Sequence, residues 1–265
     1  MMKEVIVLIG NYGSGKTELA LNFAFQAARA GKKVELIDLD MVNTYFRLTD
    51  RGNLIKSREI RLVSPNFVHS SVETLSLPAE VASAFALDWD TVIFDVGGDP
   101  AGATALGRYH EDFAALPEGS LKVLNVVNTR RPMAGTPEKL ISLMEGMERH
   151  SRQKVSGFVN NTNLARMACP EDLRDGYEVI REASIRSGVP VLYTTGRPDL
   201  LEGFLREGHD PAYIGTPMPI ETFMHRIGRP SQRRACDAPV CRVNICSGRR
   251  DARKTASGNS LLFMK

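Results

Sequence analysis

The chain has little with which to cross-link itself or cross a membrane. Its 265 residues include four cysteines, Cys169, Cys236, Cys241 and Cys246, too few and too unevenly placed for a disulfide framework. Three thiols spaced by four residues fit none of the usual zinc or iron–sulfur spacings, and the five histidines show no metal-ligand spacing either. No apolar run approaches the roughly 18 residues that span a bilayer. The stretch 5–9 is also too short for a signal-peptide core, so no membrane span and a cytoplasmic, reducing location are expected. There is no internal repeat. What remains, with 43% apolar and 25% charged residues, is enough for a sizeable core in one large domain plus an appendage.

Charge is unevenly distributed. The net +3 conceals a C-terminal stretch from Arg226 that carries +8, which leaves residues 1–225 at −5. Basicity is therefore no argument that the whole protein binds nucleic acid; such binding is expected only through the tail, if anywhere. After Met224 no period of 2.0 or 3.6 persists, and Ser, Gly, Ala, Asn and Pro become frequent. The sequence thus predicts a domain over 1–227 and a basic, cysteine-containing tail over 228–265 that is disordered or loosely attached.

Before the tail, short β-branched runs alternate with longer amphipathic ones. The pattern predicts strands at 4–10, 33–40, 61–64, 91–95, 122–128, 155–160 and 189–194. Between them it predicts helices at 16–30, 78–86, 103–113, 137–151, 170–187 and 198–206, several opening on a proline at the first helical position. This order reads as an α/β protein of three layers, α/β/α, on a mainly parallel sheet, with ligands at the carboxyl ends of the strands.

The most specific signal is Gly10-Asn11-Tyr12-Gly13-Ser14-Gly15-Lys16-Thr17, a G-x-x-x-x-G-K-[ST] turn between the first strand and the first helix. A phosphate chain needs several backbone N–H groups turned inward around it, and glycines permit that curvature. Lys16 can reach the β- and γ-phosphates, Thr17 can ligate Mg²⁺, and the helix N-terminus adds its own N–H groups. Glu18, next in the first helical turn, is counted with this nucleotide-contacting stretch. The run 91–95 closes in Asp95 and continues Val96-Gly97-Gly98-Asp99, which fits an acid that contacts Mg²⁺ beside a movable glycine pair. Asp38 and Asp40 close another strand, and spacing alone leaves open which faces metal and which orients water. At the end of the run 155–160, Asn161 (or Asn160) can pair with a base edge, or simply form an Asx turn. No N-K-x-D sequence, the usual guanine reader, is present, so ATP is expected over GTP.

Together Gly10–Thr17, Asp38-Leu39-Asp40 with the following Asn43-Thr44-Tyr45-Phe46-Arg47, and Asp95-Val96-Gly97-Gly98-Asp99 resemble the MinD/ParA and CobQ/CobB-type branch of P-loop proteins, the SIMIBI class. Over about residues 2–225 the chain is similar to a group of bacterial ATP-binding proteins within it. The resemblance implies Mg-ATP binding, with Lys16 on phosphate, Thr17 and Asp95 at the metal with Asp38 beside them, Asp40 as the acid linked to water activation, Gly98 near the γ-phosphate and Asn161 against adenine. A homodimer is implied only by analogy. The stretch Asn11-Tyr12-Gly13 lacks the additional lysine with which the MinD/ParA subgroup reaches across its dimer, and Arg47 is the candidate for a substitute charge. The expected function is a slow ATPase that acts as a nucleotide-dependent switch or accessory factor for a partner protein. The alternative is an ATP-dependent small-molecule kinase or amide-forming ligase of the CobQ/CobB or dethiobiotin-synthetase type.

Overall fold

The computed structural model describes residues 3–40, 48–64 and 79–224. Eight strands form one sheet in which every pairing is parallel: β1 (Glu4–Ile9), β2 (Val34–Leu39), β3 (Arg61–Val63), β4 (Thr91–Val96), β5 (Leu121–Val127), β6 (Gly157–Asn160), β7 (Val191–Gly196) and β8 (Thr216–Pro219). Their order is β3-β2-β4-β1-β5-β6-β7-β8. The expected α/β class on a parallel sheet is what the chain adopts.

Strand β1 is apolar almost throughout because both of its faces are covered. Val5, Val7 and Ile9 enter one core, while Ile6 and Leu8 enter the other. The first core takes residues of α3 (Ser83–Ala86), α4 (Pro100–Gly107), α5 (His110–Ala114), α6 (Pro137–Ser151) and α7 (Pro170–Ser187). The second takes α1 (Lys16–Arg29) and α2 (Gly52–Lys56). Connections that step from β1 toward β3 therefore lie on one face, and those that step back toward β8 lie on the other. Their divergence opens a crevice above the carboxyl end of β1, where ligands of such sheets bind. Beyond β7, α8 (Pro198–Leu205) packs Leu200 and Phe204 against Leu173 and Tyr177 of α7.

Two expectations need correction, and one strand was not expected at all. The predicted helix 103–113 is two helices. The first starts earlier, at Pro100, because the Asp99 carboxylate caps it by accepting from Gly102 N–H at 2.8 Å. It stops at Gly107, where a side chain would collide with the His150 carbonyl of α6 at 2.7 Å. The predicted helix 78–86 is a 3₁₀ turn, Ala79–Ala82, followed by the single turn α3. Strand β8, Thr-Pro-Met-Pro, escapes a β-propensity reading because its two prolines are tolerable only at a sheet edge, which is where it lies. The predicted tail and the segment Asn43–Arg47 lie outside the described residues, with the three late cysteines. The described residues all fall within one compact unit, Met1–Pro230. No helix among the described residues is long and apolar enough to cross a membrane.

Candidate nucleotide-binding site

The turn from β1 into α1 runs along the crevice. Lys16, the first residue of α1, is 6% exposed, and its ammonium donates to the carbonyls of Gly10 (3.0 Å) and Asn11 (3.2 Å). The lysine thus lies folded within its own loop. Two other side chains hold that loop from outside. Asn161, just past β6, donates from Nδ2 to the Ser14 carbonyl at 2.7 Å, and Arg131, after β5, donates from Nε to the Gly13 carbonyl at 3.0 Å. Each bond fixes a P-loop carbonyl on a neighbouring loop, while within the turn the Ser14 N–H donates to the Asn11 carbonyl at 3.1 Å. Gly13 (φ 72°) and Gly15 (φ 92°) are doubly constrained. Both sit in the left-handed region, and a Cβ on either would press into the side chain that holds the loop, Arg131 or Asn161.

Three carboxylates lie across from these cations. Asp38 and Asp95 are register partners on β2 and β4, so their side chains leave the sheet side by side, and both are buried. Asp40 follows β2; its N–H donates to Asp38 Oδ1 at 3.0 Å. Burial first, then the Asp38 charge and more weakly Asp40, push Asp95 up to about 7, against the pull of Lys16 and the Thr17 hydroxyl. Burial likewise pulls the Lys16 ammonium below its ordinary range, opposed by Asp95, Asp40 and Asp99. One oxygen of Asp95, Oδ1, is buried with no hydrogen-bond partner among the described residues. A buried, unpartnered carboxylate oxygen beside a second carboxylate and a threonine hydroxyl is a hard-oxygen donor set that suits Mg²⁺. Gly98 packs against the P-loop so closely that a Cβ there would lie 2.6 Å from Tyr12 N.

The resulting cavity of 240 Å³ is lined by Tyr12, Lys16, Thr17, Asp40, Arg131 and Met224, with Gly13, Gly15 and Glu18. The structure therefore assembles most of the expected residues in one place. Asn161 is near them, with its amide already committed: Oδ1 accepts from Thr195 Oγ1 at 2.8 Å while Nδ2 holds Ser14. Asn160 closes an Asx turn, its Oδ1 accepting from Thr162 N–H at 3.2 Å. The Glu18 carboxylate accepts from the backbone N–H groups of Phe223 and Met224, fastening the segment after β8 along α1.

Residues 5–171 match the CobQ/CobB/MinD/ParA nucleotide binding domain. The chain belongs to that family. It is a nucleotide-binding P-loop protein of the SIMIBI class. Among solved structures it is similar to the cell division protein FtsY of Thermotoga maritima, with 18% identity and a TM-score of 0.50 over 73% of this chain and 61% of that one. FtsY of Mycoplasma mycoides gives 17% and 0.50 over 73% and 59%. At such identities the likeness is one of fold, and the chain spans about three-fifths of the length of those structures. No curated protein matches the sequence.

Among the residues at this site, sequence reasoning missed Arg131, Thr195 and Met224. Arg131 follows a strand beside the P-loop strand, so a cation at a strand's carboxyl end is the signal that could have found it. Which strands are neighbours, though, is not written in local sequence. Met224 reaches the cavity only because Glu18 and Asn22 hold the chain there; the Asn22 amide donates to Glu221 O and accepts from Glu221 N–H, both at 2.9 Å.

Proposed function

We propose that this chain binds Mg-ATP in the crevice above β1, hydrolyses it slowly in the cytoplasm, and passes its nucleotide state to a partner protein. The observation that carries the reading is the buried Lys16 ammonium within the P-loop, under the charge of the buried Asp95, whose Oδ1 has no hydrogen-bond partner among the described residues. On triphosphate binding, Lys16 leaves the Gly10 and Asn11 carbonyls for the phosphate oxygens, and the N–H groups of residues 13–17 surround the chain. Thr17 and Asp95, with Asp38 beside them, would hold Mg²⁺. Bound there, the ion would neutralise charge on the phosphate oxygens. Asp40 orients the attacking water, and Gly98, pressed against Tyr12, shifts with the γ-phosphate. Asn161 serves the base side by keeping Ser14 in place beside Thr195. ATP is preferred over GTP for want of an N-K-x-D guanine reader.

The test is calorimetric titration of the full chain with ATP and GTP in Mg²⁺, together with phosphate release. Saturable ATP binding that is lost in Lys16→Ala supports the reading; a folded wild-type protein that binds neither nucleotide overturns it. Release stimulated by cell extract supports the switch, and sedimentation with and without ATP tests the homodimer.

One observation favours a second reading, an ATP-dependent kinase or ligase. A largely apolar groove of 460 Å³, lined by Gly98, Pro100, Met133, Lys139, Leu143 and Met147, begins at the glycine that touches the P-loop. Phosphate release strictly dependent on a small metabolite would select this enzyme over the switch.

A further inference from the structure

Two adjacent arginines follow β5 and behave differently. Arg130 pairs with Asp172 at 2.5 Å and Asp175 at 2.8 Å, which ties the loop to α7. Arg131 has no carboxylate partner among the described residues. Its one side-chain hydrogen bond there runs from Nε to the Gly13 carbonyl, which leaves both terminal nitrogens of the fork uncommitted in the wall of the nucleotide cavity.

The loop that carries Arg131 is held at several points. Arg131 N–H donates to Asn128 O at 3.0 Å, and its own carbonyl accepts from Ala134 N–H at 2.9 Å. The buried Asn128 amide donates in turn to Asn163 O at 2.9 Å, joining this loop to the one after β6. The backbone under the guanidinium is therefore held before any ligand arrives, and the Nε bond fixes one point of the exposed side chain, which lowers the freedom to be lost on binding. A planar fork fixed at one nitrogen suits phosphate oxygens, which accept from two parallel N–H groups. The charge balance points the same way. Asp40 lines the cavity, with its charge and that of Asp38 both felt by the buried Asp95, and the cations lining it among the described residues are Lys16 and Arg131.

We infer that Arg131 is a polyphosphate-binding residue, a second cation beside Lys16 that grips the phosphate chain through its terminal nitrogens while Nε keeps its bond to Gly13. This rests on the proposed nucleotide binding. It gives the P-loop, which lacks a second lysine of its own, a positive partner from the same chain.

Two variants separate charge from tether. In Arg131→Gln, Nε2 falls at the place of the arginine Nε and keeps the bond to Gly13 without the charge. In Arg131→Lys, the charge stays and that bond goes. The measurement is Mg-ATP affinity of the full-length protein by calorimetry at low and high salt, with Arg131→Ala as reference and thermal melting of each ligand-free variant to confirm folding. Arg131→Gln should bind about tenfold more weakly than wild type, close to Arg131→Ala, and Arg131→Lys should stay within about threefold of wild type. The gap between wild type and Arg131→Gln should narrow as salt rises. Wild-type affinity in Arg131→Gln with weak binding in Arg131→Lys would make the residue only a P-loop tether and overturn the inference. Unchanged affinity in all three variants would overturn it as well. A wild-type protein that binds no ATP fails at the earlier step, the nucleotide reading itself, and takes this inference with it.

Discussion

Asn161 is 2% exposed and serves two partners with one amide, donating to the Ser14 carbonyl and accepting from the Thr195 hydroxyl. Asn161→Ala strands the Ser14 carbonyl and leaves the Thr195 hydroxyl only the Asn160 carbonyl at 3.2 Å, and the loss of a buried pairing costs about 1–3 kcal/mol. Urea unfolding of the ligand-free protein should show that loss, accompanied by weaker ATP binding. Glu35 poses a different problem. It is fully buried on β2, held by Arg61 at 3.0 Å, with its second oxygen unpartnered among the described residues. Burial pushes its carboxyl above the usual range, against Arg61, Lys3 and Ser83. Because the folded state then holds the proton more tightly than the unfolded state, stability falls as pH rises from the ordinary glutamate range through the raised value. In Glu35→Gln this pH-dependent fall should be smaller, as read from melting temperatures across that range. At this scale the P-loop residues were legible because their chemistry is local. Gly15 shows the limit. Its motif role is plain from the sequence, but its contact with Asn161 depends on two loops 146 positions apart meeting over one strand edge.

Among the elements, the segment 220–224 depends on α1 for its place. Glu18 accepts from two of its backbone N–H groups, Asn22 brackets Glu221, and Phe223 meets the Phe25 ring edge-on with centroids 4.8 Å apart. In Glu18→Ala, hydrogen exchange at the Phe223 and Met224 amides should accelerate while the α1 amides remain protected. Retained protection at those two amides would show that Asn22 and the aromatic contact suffice. Most elements were legible from periodicity and from proline at helix starts, as in α6, α7 and α8. The break between α4 and α5 was not, since it arises where Gly107 meets the end of α6, a tertiary contact with no local signature.

For the molecule as a whole, the proposed boundary near residue 227 has a direct test. The compact unit ends at Pro230, and every contact described for the crevice lies inside it. A chain ending at Pro230 should therefore melt within about 2 °C of the full protein and bind nucleotide equally well, since every described core residue is retained. A large drop in either would assign the last residues a part in the domain. The sheet's one-way order was legible from the alternation of strands and helices, but the position of β4 between β1 and β2 was not. That order brings Asp95 beside Asp38 and makes the site. Uniform strand direction also has a practical use. The turns that feed strands emerge at the rim away from the crevice, among them the exposed Glu118-Gly119 turn ahead of β5. A dye or affinity handle grafted at that turn would report on the protein in solution while the chemistry at the opposite rim proceeds undisturbed.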